Sequence, residues 1–238
     1  MDAQQSRRTP DPGPSATPGP APGPARAAGR LAETGAVVVP ARDDAARIAL
    51  TVLSARSIPT VDLVVVVDDA STDSTARVAE DSGAAVVRHR RRLGRAAALE
   101  SGAAAVAACD DMEYGTPGPD GPVARPLLLI AADLGPTAVR AETLLTPVLR
   151  GEADMTVGLP TGPAARERRA PGLRESTERC LTRAAFQAAL PLGPGGRPEA
   201  RLTSVLVEAG FRVVGMPLVV VHHRPPQRRG LRFRRADW

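Results

Sequence analysis

The chain alternates short, unbroken apolar runs with longer stretches in which apolar residues recur every three or four positions. GAVVVP (35–40), VDLVVVV (61–67), AAVVRH (84–89), PLLLIAADLG (126–135), ADMTVGL (153–159) and FRVVGMPLVVVHHR (211–224) predict strands. Runs that are unbroken rather than alternating belong to strands covered on both faces. Between them, DDAARIALTVLSAR (43–56), DSTARVAEDSG (73–83), LGRAAALESGAAAVAA (93–108), TAVRAETLLTPVLRG (137–151) and RPEARLTSVLVEAG (197–210) predict helices. CDDMEYGTPGPDGPVAR (109–125) reads as a turn-rich insertion, 160–172 as a polar basic loop, and ESTERCLTRAAFQAAL (175–190) as a lead into a further helix. The alternation predicts an α/β fold with a mostly parallel central sheet and helices on both faces.

Residues 1–34 are rich in Pro, Gly and Ala without periodicity, and predict a disordered tail. Residues 225–238 form a basic tail, which leaves 35–224 as the globular part. With 43% apolar but only 2% aromatic residues, the core must be built from Val, Leu, Ala and Ile. No Lys occurs and every basic residue is Arg, alongside abundant Ala, Pro and Gly, the pattern of a GC-rich coding sequence. The net charge of +5 is therefore weak evidence for nucleic acid, which is not expected as a partner. Cys109 and Cys180 stand apart from each other and from any His, matching neither a disulfide framework nor a zinc site. No run approaches the roughly 20 apolar residues of a membrane span, so the expected location is cytoplasmic.

Parallel sheets bind ligands beyond the carboxyl ends of their strands. The charged residues cluster there, at Arg42–Asp44, Asp68–Asp73, His89–Arg95, Asp133 and His222–Arg224. A dinucleotide site would need G-x-G-x-x-G after the first strand, where the chain reads PARDDAARI. That turn also lacks the Gly-rich loop of a nucleotidyltransferase. VDDASTDST (67–75) has two readings. It is a strand end with Asp69 or Ser71 capping a helix, or a nucleotide pocket whose carboxylates accept from a base or a ribose. Asp43 and Asp44 read equally as caps of the first helix.

VVVPARDD, VDLVVVVDDASTDST, VVRHRRRLGRAAALESG and LLLIAADLG follow one another in an order and spacing that resembles family 2 glycosyltransferases. These have the GT-A fold and include polyprenyl-phosphate sugar transferases. The family run is P-x-x-N-E, V-D-D-x-S-x-D-x-T, N-x-G-K-x-x-A and D-x-D. The resemblance spans about 35–224, with a nucleotide-sugar half at 35–135 and, from its likeness to bacterial members, an acceptor half at 136–224. It implies an inverting transfer of a sugar from a nucleotide sugar to an acceptor. Pro40, Arg42, Asp44, Asp68, Asp69 and Ser71 would hold the nucleoside, and Arg95 the diphosphate. Asp133 would hold Mg2+ or Mn2+ and serve in catalysis. The first Asp of D-x-D is Ala131 here, which leaves either a weakened metal site or a catalytically silent protein that binds a nucleotide or a partner.

Glu199 falls where bacterial members carry an acid near the acceptor, as a general base or as a helix N-terminal acid. Arg179, His222 and Arg224 are candidates for the acceptor or the diphosphate; a lone histidine such as His222 is more often a surface or packed one. Arg88 and Arg90–Arg92 read as a solvated run. Arg166–Arg174 and the basic tail suit either solvent or an anionic acceptor, such as a polyprenyl phosphate at the inner face of a membrane.

Overall fold

The computed structural model describes residues 30–115, 123–161, 172–173, 176–193 and 197–223. The basic stretch 162–171, the C-terminal tail and Arg224 lie outside the described residues. Strand β1 (Arg30–Leu31) precedes β2 (Gly35–Ala41), α1 (Ala45–Arg56), β3 (Val61–Asp68), α2 (Thr75–Asp81), β4 (Ala85–Arg88) and α3 (Arg95–Tyr114). Next come β5 (Val123–Ala124), β6 (Leu127–Leu129), a 3-10 turn (Gly135–Ala141), α4 (Glu142–Leu149) and β7 (Met155–Pro160). The last described elements are β8 (Arg179–Leu181), α5 (Arg183–Ala188), α6 (Pro198–Glu208) and β9 (Val213–Leu218).

Seven strands form one sheet in the order β4-β3-β2-β6-β8-β7-β9, and β1 and β5 form a small parallel pair. All contacts within the large sheet are parallel except those of β8, which runs antiparallel to β6 and β7. The expected α/β architecture with a mostly parallel sheet is what the chain adopts. Alternate residues of each strand serve opposite faces. Val37 and Val39 of β2 join Val64 and Val66 of β3 under α1, α2 and α4. Ala36 and Val38 join Val65 and Val67 under α3, α5 and α6. This double burial is why the strands are continuous runs of Val and Leu.

Small residues let α3 approach the sheet closely: a Cβ on Gly102 would stand 2.4 Å from Val38 Cγ1 and 3.1 Å from Val67 Cγ2. The close approach places the first turn of α3 at the carboxyl ends of β2 and β3.

Four expectations need correcting. Residues 30–34, within the segment read as a disordered tail, hold strand β1, which pairs with β5, and Thr34 Oγ1 donates to Asp62 at 2.6 Å. CDDMEY is not a turn but the last turns of α3. It is fastened by buried Arg125, which bonds Asp110 at 2.6 Å, Asp62 at 2.8 Å and Glu113, and stands 5.0 Å from the Tyr114 ring centre. The segment 175–190 contains a strand, β8, before its helix. A three-residue strand with Arg at its start gives no apolar run to recognise. The first helix, finally, is not capped by its own acids: Ala45 N donates to Asp73 Oδ2 at 3.1 Å, a carboxylate from the loop after β3.

Candidate functional site

An open cleft of about 430 Å³ lies beyond the carboxyl ends of β2, β3 and β6. Pro40, Arg42, Asp44, Asp69, Arg95 and Asp133 line it, six of the residues singled out from the sequence. Asp68, Ser71, Arg179, Glu199 and His222 do not line it.

The loops after β2 and β3 are bonded to each other along their length. Asp43 N donates to Ser71 Oγ at 2.9 Å, and Thr72 N returns a bond to Asp43 Oδ1 at 2.7 Å. Asp44 N donates to Thr75 Oγ1 at 2.8 Å. Asp68 accepts from Ser71 N at 3.1 Å and from the Ser71 hydroxyl. Ser71 thus ties the loops together rather than capping α2 as expected, while Asp73 accepts from Thr75 N at the start of α2 at 2.9 Å. Asp43 and Ala70 adopt left-handed backbone angles, φ 51° and 57°, at the crossing point of the two loops.

Asp69 neither caps α2 nor opens freely to the cleft. Its carboxylate accepts from Leu93 N at 2.7 Å, Gly94 N at 2.8 Å and His89 Nδ1 at 2.9 Å. Burial opposes ionisation of Asp69, but the bonds from His89, Leu93 and Gly94 outweigh it and hold the carboxyl below its ordinary value. His89 is itself buried and reaches Ser101 Oγ of α3 at 3.0 Å. Asp69 therefore clips the loop that delivers Gly94 and Arg95, and His89 orients the clip.

Asp133 follows β6 in a tightly held turn. Thr51 Oγ1 donates to Ala132 O at 2.8 Å and accepts from Gly135 N at 2.9 Å, while His223 N donates to Asp133 O at 2.8 Å. His222 Nδ1 stands 2.9 Å from Asp133 Oδ1, and its Nε2 lies 3.7 Å from Glu178 Oε1. Among the described residues, no group of three or more His, Cys, Asp or Glu gathers as a ready metal cage. A carboxylate and an imidazole 2.9 Å apart do suit one divalent ion that takes its remaining ligands from phosphate and water.

The cleft is rich in guanidinium. Arg42, Arg47, Arg92 and Arg95 line it, facing Asp44, Asp69 and Asp133. Asp44 is paired with Arg47, which also donates to His223 O at 3.3 Å. Arg42 Nη1 and Arg95 Nη2 are buried without a hydrogen-bond partner. Two orphaned cationic donors in one cleft call for an anionic ligand, since a buried donor without an acceptor is costly.

Residues 36–108 match the family described as glycosyl transferase family 2. No curated protein matches the chain. Glucosyl-3-phosphoglycerate synthase from Mycobacterium tuberculosis, solved with Mn2+, UDP-glucose and phosphoglyceric acid, is 25% identical. It covers 82% of this chain and 73% of its own, with a TM-score of 0.61. A further crystal structure, of a mycobacterial protein, is 22% identical and covers 82% and 69%, with a TM-score of 0.62. The chain has the GT-A fold of family 2 glycosyltransferases.

Within this GT-A frame two of the expected contacts fall elsewhere. Arg179 is fully buried in the middle of the sheet and cannot reach an acceptor or a diphosphate. Its Nη1 donates to Glu199 O at 2.7 Å and Thr203 Oγ1 at 3.1 Å, and its Nη2 to Ser176 O. Burial pushes the guanidinium down to about 10, opposed by Glu199, so it stays cationic at neutral pH. Glu199 is also buried and is ion-paired with Arg95 Nε, not turned out as a base. Arg92, read as part of a solvated run, lines the cleft, whereas Arg88 pairs with Glu80 at 2.8 Å on the surface. Arg47 was not singled out, and His89 was named only within the His89–Arg95 cluster, without a role. Arg47 was detectable, three positions after Asp44 on a helix; His89 has no partner close in sequence.

Proposed function

We propose that the chain transfers a sugar from a nucleoside diphosphate sugar, of the UDP-sugar type, to a phosphate-bearing acceptor. The observation that carries this reading is the cleft in which Asp133, backed by His222, faces two unpartnered buried guanidinium nitrogens, on Arg42 and Arg95. The relatives' complexes with Mn2+, UDP-glucose and phosphoglyceric acid support both the donor and the class of acceptor. A polyprenyl phosphate shares the phosphate chemistry, but the resemblance alone suggests it, and a small phosphorylated acid fits the reading equally well. Among the described residues no helix is long and apolar enough to cross a membrane.

Asp133 and His222 would hold Mg2+ or Mn2+. When bound, the ion would neutralise charge on the departing diphosphate. The sugar's bond from its anomeric carbon to the diphosphate oxygen breaks, and the electron pair leaves with the nucleoside diphosphate. A bond from the same carbon to an acceptor oxygen forms; a phosphate acceptor oxygen is already ionised, and a hydroxyl acceptor's proton passes to the departing diphosphate or to solvent. Arg42 and Arg95 stabilise the leaving group by meeting its oxygens. Pro40, Arg42 and Asp44 would border the nucleoside, and Asp68 and Asp69 hold the neighbouring loops through Ser71, Leu93 and Gly94.

One observation favours a second reading. Ala131 lines the cleft where the family carries a carboxylate, which suits a protein that binds a nucleotide without turnover. Calorimetric titration of UDP-, GDP- and ADP-glucose, with and without Mn2+, separates the two. The enzyme reading expects one donor to bind with Mn2+-dependent affinity and slow hydrolysis. In Asp133→Ala the affinity with Mn2+ should fall at least about 100-fold. Nucleotide binding indifferent to Mn2+ supports the silent reading, and no binding of any of the three overturns both.

A further inference from the structure

We propose that Glu199 is a positioning residue that aims Arg95 at the ligand's phosphates. The inference rests on the nucleotide-sugar reading above and changes what Glu199 does within it.

Arg95 is the first residue of α3, delivered to the cleft by the loop that Asp69 clips. A guanidinium is planar and presents its donors in a rigid fork. Fixing its Nε therefore fixes the directions of both Nη groups. Glu199 Oε1 takes the Nε, while Nη2 is left buried in the site without a partner. An anion at Nη2 would find a donor already oriented, with the loss of rotamer freedom already incurred.

Glu199 is anchored in turn. It lies in the first turn of α6, where a carboxylate complements the helix dipole. Its carbonyl accepts from Arg179 Nη1, which also holds Thr203 one turn on. A relay of Arg179, Glu199 and Arg95 thus runs from the centre of the sheet to the cleft. It joins the acceptor half to the group that meets the diphosphate. A carboxylate engaged with a guanidinium in this way is placed to orient, not to accept a proton from an acceptor hydroxyl.

The test compares Glu199→Gln with Glu199→Met in the full chain. Both remove the same charge and fill similar volume, and only glutamine offers an oxygen to Arg95 Nε. UDP, GDP and ADP are titrated calorimetrically in Mn2+ against both variants and the wild type. The best-binding diphosphate is expected to bind Glu199→Gln at least about five-fold more tightly than Glu199→Met, the worth of one oriented hydrogen bond. The matching nucleoside, which has no phosphates, should bind both variants alike. The gap should disappear in an Arg95→Ala background. Equal diphosphate affinities, a gap of the same size for the nucleoside, or a gap that persists without Arg95 each overturn the proposal. If the wild type binds none of the three diphosphates, the nucleotide reading falls and takes this inference with it; if it binds one and the gap is missing, only the inference falls.

Discussion

The two walls of the cleft are built by different means. On one side, the loops after β2 and β3 are joined by hydroxyls and short carboxylates bonded to backbone amides, such as Asp43 N to Ser71 and Asp44 N to Thr75. On the other, charged side chains meet across the fold: Asp133 with His222, 89 positions apart, and Arg95 with Glu199, 104 apart. The first wall uses the polar groups of the VDDASTDST motif mainly on itself. Each side leaves a donor over, Arg42 Nη1 on the loop after β2 and Arg95 Nη2 at the start of α3, for something else to satisfy. A motif rich in carboxylates can therefore be mostly scaffold, while the unpartnered donors of the cleft, on Arg42 and Arg95, sit outside it.

Breaking the long-range wall should cost the most. Arg179→Met removes the bonds to Glu199 O, Thr203 and Ser176 O from a fully buried site. Urea unfolding is expected to show a loss of about 2–4 kcal/mol, with nucleoside affinity unchanged. A variant as stable as the wild type that binds no nucleotide would restore Arg179 to the ligand. His89→Ala should cost about 1–3 kcal/mol, because Asp69 keeps its two amides but loses the imidazole and Ser101 loses its bond. It should also weaken diphosphate binding by loosening the loop before Arg95, and His89→Asn, which can donate in place of Nδ1, should recover part of both losses.

Acid probes the self-bonded wall. Asp43, Asp69 and Asp73 all titrate below their ordinary value of 3.8. For Asp43 the leading cause is the Thr72 amide; for Asp69 and Asp73, hydrogen bonds to the ionised form outweigh an opposing desolvation. A carboxyl depressed in the fold contributes stability that is complete above its unfolded pKa and is lost as pH falls through the folded one. Circular dichroism melts are therefore expected to show stability declining below pH 3.8. Asp69→Asn should remove part of that slope, and an unaltered slope would show that the Asp69 clip is not ionised. The smallest effect expected is a gain. Ala70 holds φ 57°, and Ala70→Gly should relieve up to about 1 kcal/mol of left-handed strain, offset in part by the glycine's greater freedom when unfolded.

Much of the first wall was legible in advance because its parts are local. Continuous Val runs announced buried strands, and the order of the motifs announced the GT-A frame. The motif's two readings, helix cap or pocket, were both incomplete. Ser71 and Asp73 tie loop to loop, and Asp73 accepts from the first amide of α1 as well as from that of α2. Asp133 was visible as a carboxylate ending a strand, and its partner His222 only as one of several possible roles. Glu199 and Arg179 were visible as charges, but their buried pairing with Arg95 and with each other was not. Nothing near either residue reveals that one faces Arg95 and the other is sealed in the sheet.

The sequence by itself determined the alternation of strands and helices, the burial of both sheet faces and the polar loops at the strand ends. Periodicity and backbone hydrogen-bonding chemistry act over a few residues and are written locally. Only the tertiary structure decided which charges meet. That choice follows from β8, a short antiparallel strand inserted between β6 and β7. Its insertion buries Arg179 beneath α6, and α6 in turn holds Glu199 against Arg95. A sheet order is set by the packing of the whole chain, so no local window records which distant carboxylate a given arginine will meet.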